Sequence, residues 1–175
     1  MEFLRITSAA DERLPRALRL YEASFPFHER REAESQARIF ADPEYHFEFL
    51  EEDGAFVGLM LAWETDDFIY VEHFCICPEL RNRRYGARAL ERLCARGKTV
   101  ILEIDPPVDE ISIRRRGFYE RCGLVQNPFS HVHPPYHADC AGHSLVLMSY
   151  PRALTPAECE TFQNYLQNRV MRRAY

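Results

Sequence analysis

Three consecutive runs, Tyr45 to Leu50, Ala55 to Trp63 and Phe68 to Cys77, are rich in aromatic and β-branched residues and read as strands. Asp53-Gly54 and Asp66-Asp67 separate them, which predicts a three-strand antiparallel meander. Helical stripes surround this block. Leu14, Leu18, Tyr21 and Phe25 recur at helical spacing, with Pro15 early enough to be tolerated and Pro26 as a stop. A second, shorter helix is expected from Arg31 to Phe40, before Asp42-Pro43. Gly86, Leu90, Leu93 and Cys94 form another helical face, closed by Gly97. Thr99 to Ile104 is apolar enough for a buried strand, and Glu110 to Cys122 returns to helix.

Phe3 to Ile6 opens the chain as a short strand. Leu124 to His143 reads as a short strand and a long loop, and Ser144 to Tyr150 as a strand. Thr155-Pro-Ala-Glu158 is a capping box that starts a last helix striped by Cys159, Phe162, Leu166 and Val170. No linker or repeat divides residues 1–175, so one domain is expected. Its class is mixed α/β (α+β): a mostly antiparallel central sheet flanked by helices, with an extra C-terminal helix. That helix either covers the domain's own sheet or pairs with a second copy, giving a monomer or a homodimer.

Composition narrows the partners. A net charge of -5 argues against sequence-independent nucleic-acid binding. No run approaches the roughly 20 apolar residues of a membrane helix, and MEFLRITSAADER lacks a signal-peptide pattern. Six cysteines without an export signal point to reduced thiols in the cytoplasm. Cys75-Ile-Cys77 lacks the spacing of a zinc site. His131, His133 and His137 read as ordinary loop histidines, so no metal is expected.

The segment Phe74-Cys-Ile-Cys-Pro-Glu-Leu-Arg-Asn-Arg-Arg-Tyr-Gly-Ala-Arg-Ala-Leu90 carries the chemistry. A strand runs through a basic loop to Gly86 at a helix start. Such a junction offers backbone N–H groups and a helix dipole to an anion; a solvated basic face has the same pattern. The P-loop and GxGxxG nucleotide patterns are missing. Arg81-Asn82-Arg83-Arg84-Tyr85-Gly86-Ala87, however, resembles the pyrophosphate-binding motif of the GNAT superfamily of N-acetyltransferases, Q/R-x-x-G-x-G/A, with Arg84 where the family usually has its first glycine. Phe74, Cys75 and Ile76 are similar to the family's strand beside the acetyl-CoA arm. Gly117-Phe118-Tyr119-Glu120-Arg121-Cys122-Gly123-Leu124 resembles its F-Y-x-x-x-G-F helix end. In the resemblance Tyr119 is the acid that protonates the CoA thiolate, and Ser112 replaces an asparagine that contacts pantetheine.

The resemblance implies acetyl-CoA as co-substrate and direct attack by a primary amine in a ternary complex. A small-molecule acceptor is expected first, with a protein or peptide N-acetyltransferase, or a non-catalytic acyl-CoA-binding module, as alternatives. For the base, Glu72 and Glu103 are the favoured acceptor-site carboxylates and His73 follows; a water relay or no base at all are also open. Strand alternation would set Glu72 and His73 on opposite faces. Glu103, inside an apolar run, is expected to have a raised pKa or to pair with Arg114, Arg115 or Arg116. The loops around Phe25–Arg30 and His131–His137 are expected to meet the acceptor, with His133 and Tyr136 lining its pocket.

Overall fold

The computed structural model describes residues 1–174. In chain order the elements are β1 (Glu2–Ile6), α1 (Leu14–Ser24), α2 (Ala33–Ile39), β2 (Tyr45–Glu52), β3 (Ala55–Glu64), β4 (Phe68–Ile76), α3 (Tyr85–Cys94), β5 (Thr99–Ile104), α4 (Glu110–Arg121), β6 (Val125–Gln126), β7 (His131–His133), β8 (His143–Tyr150) and α5 (Pro156–Tyr165). The strands run in the order β1-β2-β3-β4-β5-β8-β6, with β7 pairing to β8. β2 to β4 form the expected antiparallel meander, and β1 extends it by pairing antiparallel with β2. The fold class is the one the patterning implies, including the capping box at Thr155; a second capping box, not expected from the sequence, stands at Asp109.

One face of the sheet, with Phe47, Leu61, Trp63, Tyr70 and Cys75, packs under α1, α2 and α5. The other, with Met60, Val71 and Leu102, packs on α3 and α4. α5 covers its own sheet: Phe162 lies 5.1 Å from Tyr70 and 6.1 Å from Phe68, ring to ring. Cys75, Cys77, Cys94 and Cys159 are buried free thiols. No helix among the described residues is long and apolar enough to cross a membrane.

Two departures from the sequence expectation shape the site. β7 was expected to be loop. Its single apolar residue, Val132, is 58% exposed, whereas His131 and His133 on either side are buried. The strand is inside out, so hydrophobic alternation gives no sign of it. The second departure is a bulge. The β3–β4 register steps from Ala62↔Val71 to Leu61↔His73, leaving Glu72 as the extra residue. Alternation is broken there, and Glu72 and His73 lie on the same face rather than opposite ones. Glu72 reaches Trp63 and Arg31; His73 packs edge-on against Tyr21 and Phe25 of the same core.

The bulge coincides with a parting of strands. β4 pairs with β5 in parallel only from Phe68 to Val71. Beyond that point β5 stays with β8 as far as Ile104, while β4 continues with β3 to Ile76.

Glu72 is the anchor of this branch. Its Oε1 accepts from Arg31 Nη2 at 3.0 Å and from the Tyr136 hydroxyl at 2.9 Å, and its Oε2 from Trp63 Nε1 at 2.9 Å. Arg31 also donates to the main-chain oxygen of Val170 at 2.7 Å. Both charged side chains are only 1% exposed. Burial pushes the Glu72 carboxyl up, but Arg31 and the other donors outweigh it and hold the group below its ordinary value. A buried pair of this kind gains little over an apolar substitute, yet breaking it from one side is expensive.

Arg31→Met should therefore cost about 3–5 kcal/mol in urea unfolding, and the double variant Arg31→Met/Glu72→Gln should regain part of that loss. Equal stability of the single and double variants would contradict the role assigned to the pair. At Gly58 a Cβ would stand 2.3 Å from the Cys75 carbonyl oxygen. Gly58→Ala should accordingly lower stability by roughly 1–3 kcal/mol, read as a fall in Tm.

Candidate active site

A cleft of about 1160 Å³ opens where β4 and β5 part. Its two halves differ in chemistry. The first is built from the β4–α3 junction and α4. The Ile76 strand end leads through a turn of 3-10 helix, Pro78–Leu80, to α3. Arg84, at the N-cap, adopts a left-handed conformation with φ 66° and ψ 4° and no side-chain cap. This is the conformation that glycine adopts at least cost, so arginine here carries about 1–2 kcal/mol of strain. The first-turn N–H groups, Tyr85 to Ala87, have no partner within the helix and point toward the cleft end. At Gly86 α3 passes close to α4: a Cβ there would lie 3.2 Å from the Phe118 ring, a tight contact that the ring would have to ease.

The strand supplies further donors. Cys77 N–H donates to the Val57 oxygen at 3.0 Å. Antiparallel alternation then makes Cys75 and His73 the hydrogen-bonded partners of β3 and turns the N–H and C=O of Phe74 and Ile76 toward the cleft. In agreement, the Ile76 oxygen accepts from Arg81 Nε at 3.3 Å. Of the expected cofactor residues, Phe74, Cys75, Ile76, Arg81, Asn82, Arg84, Tyr85, Gly86, Ala87 and Tyr119 line the cleft, and Arg114, Arg115 and Arg121 add positive charge. Arg83 is exposed and outside it.

Ser112 is not a cleft residue either. Its hydroxyl is committed to the α4 capping box, within 3.1 Å of the Asp109 main-chain nitrogen and oxygen. The hydroxyl expected from the resemblance to contact pantetheine thus has its proton engaged within the helix cap; Asp109-x-x-Ser112 carries the capping signal in the sequence. Tyr119 is buried among Phe118 and the α3–α4 core yet lines the cleft. Burial pushes its hydroxyl up to about 12, so it stays protonated at neutral pH.

The second half is acidic and rich in histidine. The strap Phe25–Glu29 crosses it, held by His73 Nε2, which donates to the Glu29 main-chain oxygen at 2.7 Å. Burial pushes the His73 imidazole down, and its Nδ1 has no partner among the described residues. Glu103 faces this half from β5. It does not pair with an arginine: Arg115 goes to Asp105 at 2.6 Å and Arg116 to Glu120 at 3.5 Å. Its partners are His131 Nε2 and the Tyr70 hydroxyl, the latter at 2.5 Å. Burial alone would raise the Glu103 carboxyl as expected, but His133, His131 and Tyr70 outweigh it and the net direction is down.

His133 and Tyr136 line the cleft, with rings 4.9 Å apart. The three loop histidines do not converge: His131 is on Glu103, while His137 contacts the Phe27 oxygen at 3.0 Å. Among the described residues, ligand atoms of Glu29, Asp105 and His143 gather within 4.8 Å of one another at the cleft rim, and Asp105 is already engaged by Arg115. Sequence reading missed Arg31 and Tyr70 as members of this half and expected His131 there only as part of a loop. The His-x-His spacing, which puts two side chains on one face of a strand, is the signal that would have found His131 together with His133.

The profile of the Acetyltransferase (GNAT) family matches residues 14–124. A Bacteroides thetaiotaomicron protein assigned to the same family is 30% identical, covers 98% of each chain and superposes with a TM-score of 0.91. At the level of fold alone, an aminoglycoside 6'-N-acetyltransferase solved with coenzyme A is 14% identical, with TM-score 0.55 over 85% of this chain and 96% of its own. The ribosomal-protein alanine N-acetyltransferase of Escherichia coli is 17% identical, with TM-score 0.57 over 85% of this chain and 93% of its own. No curated protein matches the sequence. With family profile, relative and cleft in agreement, the chain belongs to the GNAT family of acetyltransferases.

Proposed function

We propose that the protein is an acetyl-CoA-dependent N-acetyltransferase that acts on the primary amine of a small cationic molecule, by direct attack in a ternary complex. The observation that carries this reading is the bipolar cleft. The cleft lining carries Arg81, Arg84, Arg114 and Arg121 on the loop before α3 and on α4, and Glu29 and Glu103 on the strap and β5; Arg115 and Asp105 pair with each other and Glu72 with Arg31. The basic half suits the pyrophosphate of acetyl-CoA, received by the α3 N-terminus. The acidic half suits an ammonium group.

The thioester carbonyl would be polarised by the Phe74 and Ile76 N–H groups that face the cleft. Tyr119, kept protonated by burial, would donate to the departing thiolate. Glu72 is fully engaged by Arg31, Trp63 and Tyr136, so it contributes field and architecture rather than base strength. Peptide acetylation requires an open groove, whereas here the Phe25–Glu29 strap is tied across the acceptor half through His73; this favours a small acceptor. The free thiols fit a reducing compartment such as the cytoplasm.

Calorimetric titration should show micromolar binding of acetyl-CoA and CoA that is lost in Gly86→Glu, which fills the α3 N-terminus with a charged side chain. Absence of binding to the wild type would leave a fold without its co-substrate and end the proposal. Tyr119→Phe should lower kcat by about 10²–10⁴-fold with acetyl-CoA affinity unchanged. An unaltered kcat would remove Tyr119 from the proton-transfer step.

A further inference from the structure

Each of the two buried histidines that line the acceptor half has one ring nitrogen fixed and one left over. His133 Nδ1 lies 2.6 Å from the Pro134 main-chain oxygen. A carbonyl only accepts, so Nδ1 carries the proton and neutral His133 presents a bare lone pair at Nε2. That Nε2 is buried without a hydrogen-bond partner among the described residues, and the residue is 5% exposed at the cleft wall. His73 is arranged alike, with Nε2 on the Glu29 oxygen and Nδ1 unpartnered.

What separates them is the nearest anion. Glu72, beside His73, is neutralised by Arg31 at 3.0 Å. Glu103 has no arginine or lysine within ion-pair distance among the described residues; the groups beside its oxygens are His131 and His133, with His133 Nε2 3.9 Å from Oε2. That is too long for a hydrogen bond and close enough for a strong charge interaction. His131 and Tyr70 hold the Glu103 oxygens in place. A proton arriving at His133 Nε2 thus creates an imidazolium beside a carboxylate that lacks a permanent partner. At His73 it would meet a carboxylate already compensated.

We infer that His133 is the general base of the acetyl transfer, with Glu103 as the positioning residue that stabilises its imidazolium. The inference rests on the acetyltransferase reading above. The acceptor ammonium gives one proton to His133 Nε2. The freed lone pair forms the C–N bond at the thioester carbonyl, the C–S bond breaks, and Tyr119 protonates the thiolate. The second amine proton returns to Tyr119 through solvent, and His133 releases its own. The products are the amide, free CoA and one proton. The acid–base groups around His133 are Glu103 from β5, His73 from β4, His143 across the β7–β8 pair, Tyr136 from the following loop, and His131 on its own strand.

Two acceptors of equal size test it. Methylamine is an ammonium ion at neutral pH and needs a base; hydroxylamine is largely neutral there and does not. With acetyl-CoA, His133→Gln should lower kcat/KM for methylamine by about 100-fold or more, while the loss with hydroxylamine is far smaller and the acetyl-CoA Kd, measured in parallel as a check on folding, is retained. Glu103→Gln should move the acid limb of the methylamine pH profile to lower pH, because an imidazolium without its carboxylate loses its proton more readily. An equal loss with both acceptors, or none with either, overturns the inference and leaves the acetyltransferase reading standing. A wild type that binds acetyl-CoA yet acetylates neither amine overturns that reading, and the inference with it.

Discussion

The active-site architecture depends on one buried carboxylate. Glu72 is the extra residue of the β4 bulge, immediately after the last β4–β5 pair, Val71↔Leu102. A charge in that position is tolerable only with full compensation, and three elements supply it: Arg31 ahead of α2, Trp63 on β3 and Tyr136 after β7. The same contacts that satisfy Glu72 draw the acceptor-side loops over the opening between the strands. The cost of one buried charge is thereby converted into the shape of a pocket.

The two halves of the cleft are built by different physics. The basic half is a backbone site. Its donors are main-chain N–H groups at a strand edge and a helix start, and its precision comes from an unusual φ at Arg84 and the close approach at Gly86. The acidic half is a side-chain site, made of hydrogen bonds between residues far apart in sequence. Tyr70, Glu103 and His131 come from three strands, and the strap that closes them comes from the connection after α1. Main-chain sites tolerate side-chain change, which explains how an arginine occupies a position that favours glycine. Side-chain networks do not.

That difference decides what the sequence reveals. The meander, the four longer helices, the capping box at Thr155 and the Gly86 junction are local patterns, legible because each is fixed by neighbours within a few residues. The bulge at Glu72 is not local: it is set by pairing with β3, so alternation put Glu72 and His73 on opposite faces when they share one. β7 was hidden because its exposed residue is Val132 and its buried ones are histidines, inverting the usual code in favour of Glu103. The direction of the Glu103 shift was misjudged for the same reason: burial is visible in an apolar run, but the histidines that oppose it are 28 residues or more away. Ser112 reads as a ligand through the resemblance, whereas its hydroxyl serves the α4 capping box with Asp109.

Arg31 donates to the main-chain oxygen of Val170 as well as to Glu72. The lining of the basic half comes from residues ahead of 124, yet the core beneath it takes in Met148 of β8, and Arg31 is held from both sides only with Val170 in place. Both halves of the cleft therefore lean on the last third of the chain. A cut within α5 would be felt at Glu72, through a guanidinium that touches both ends of the fold.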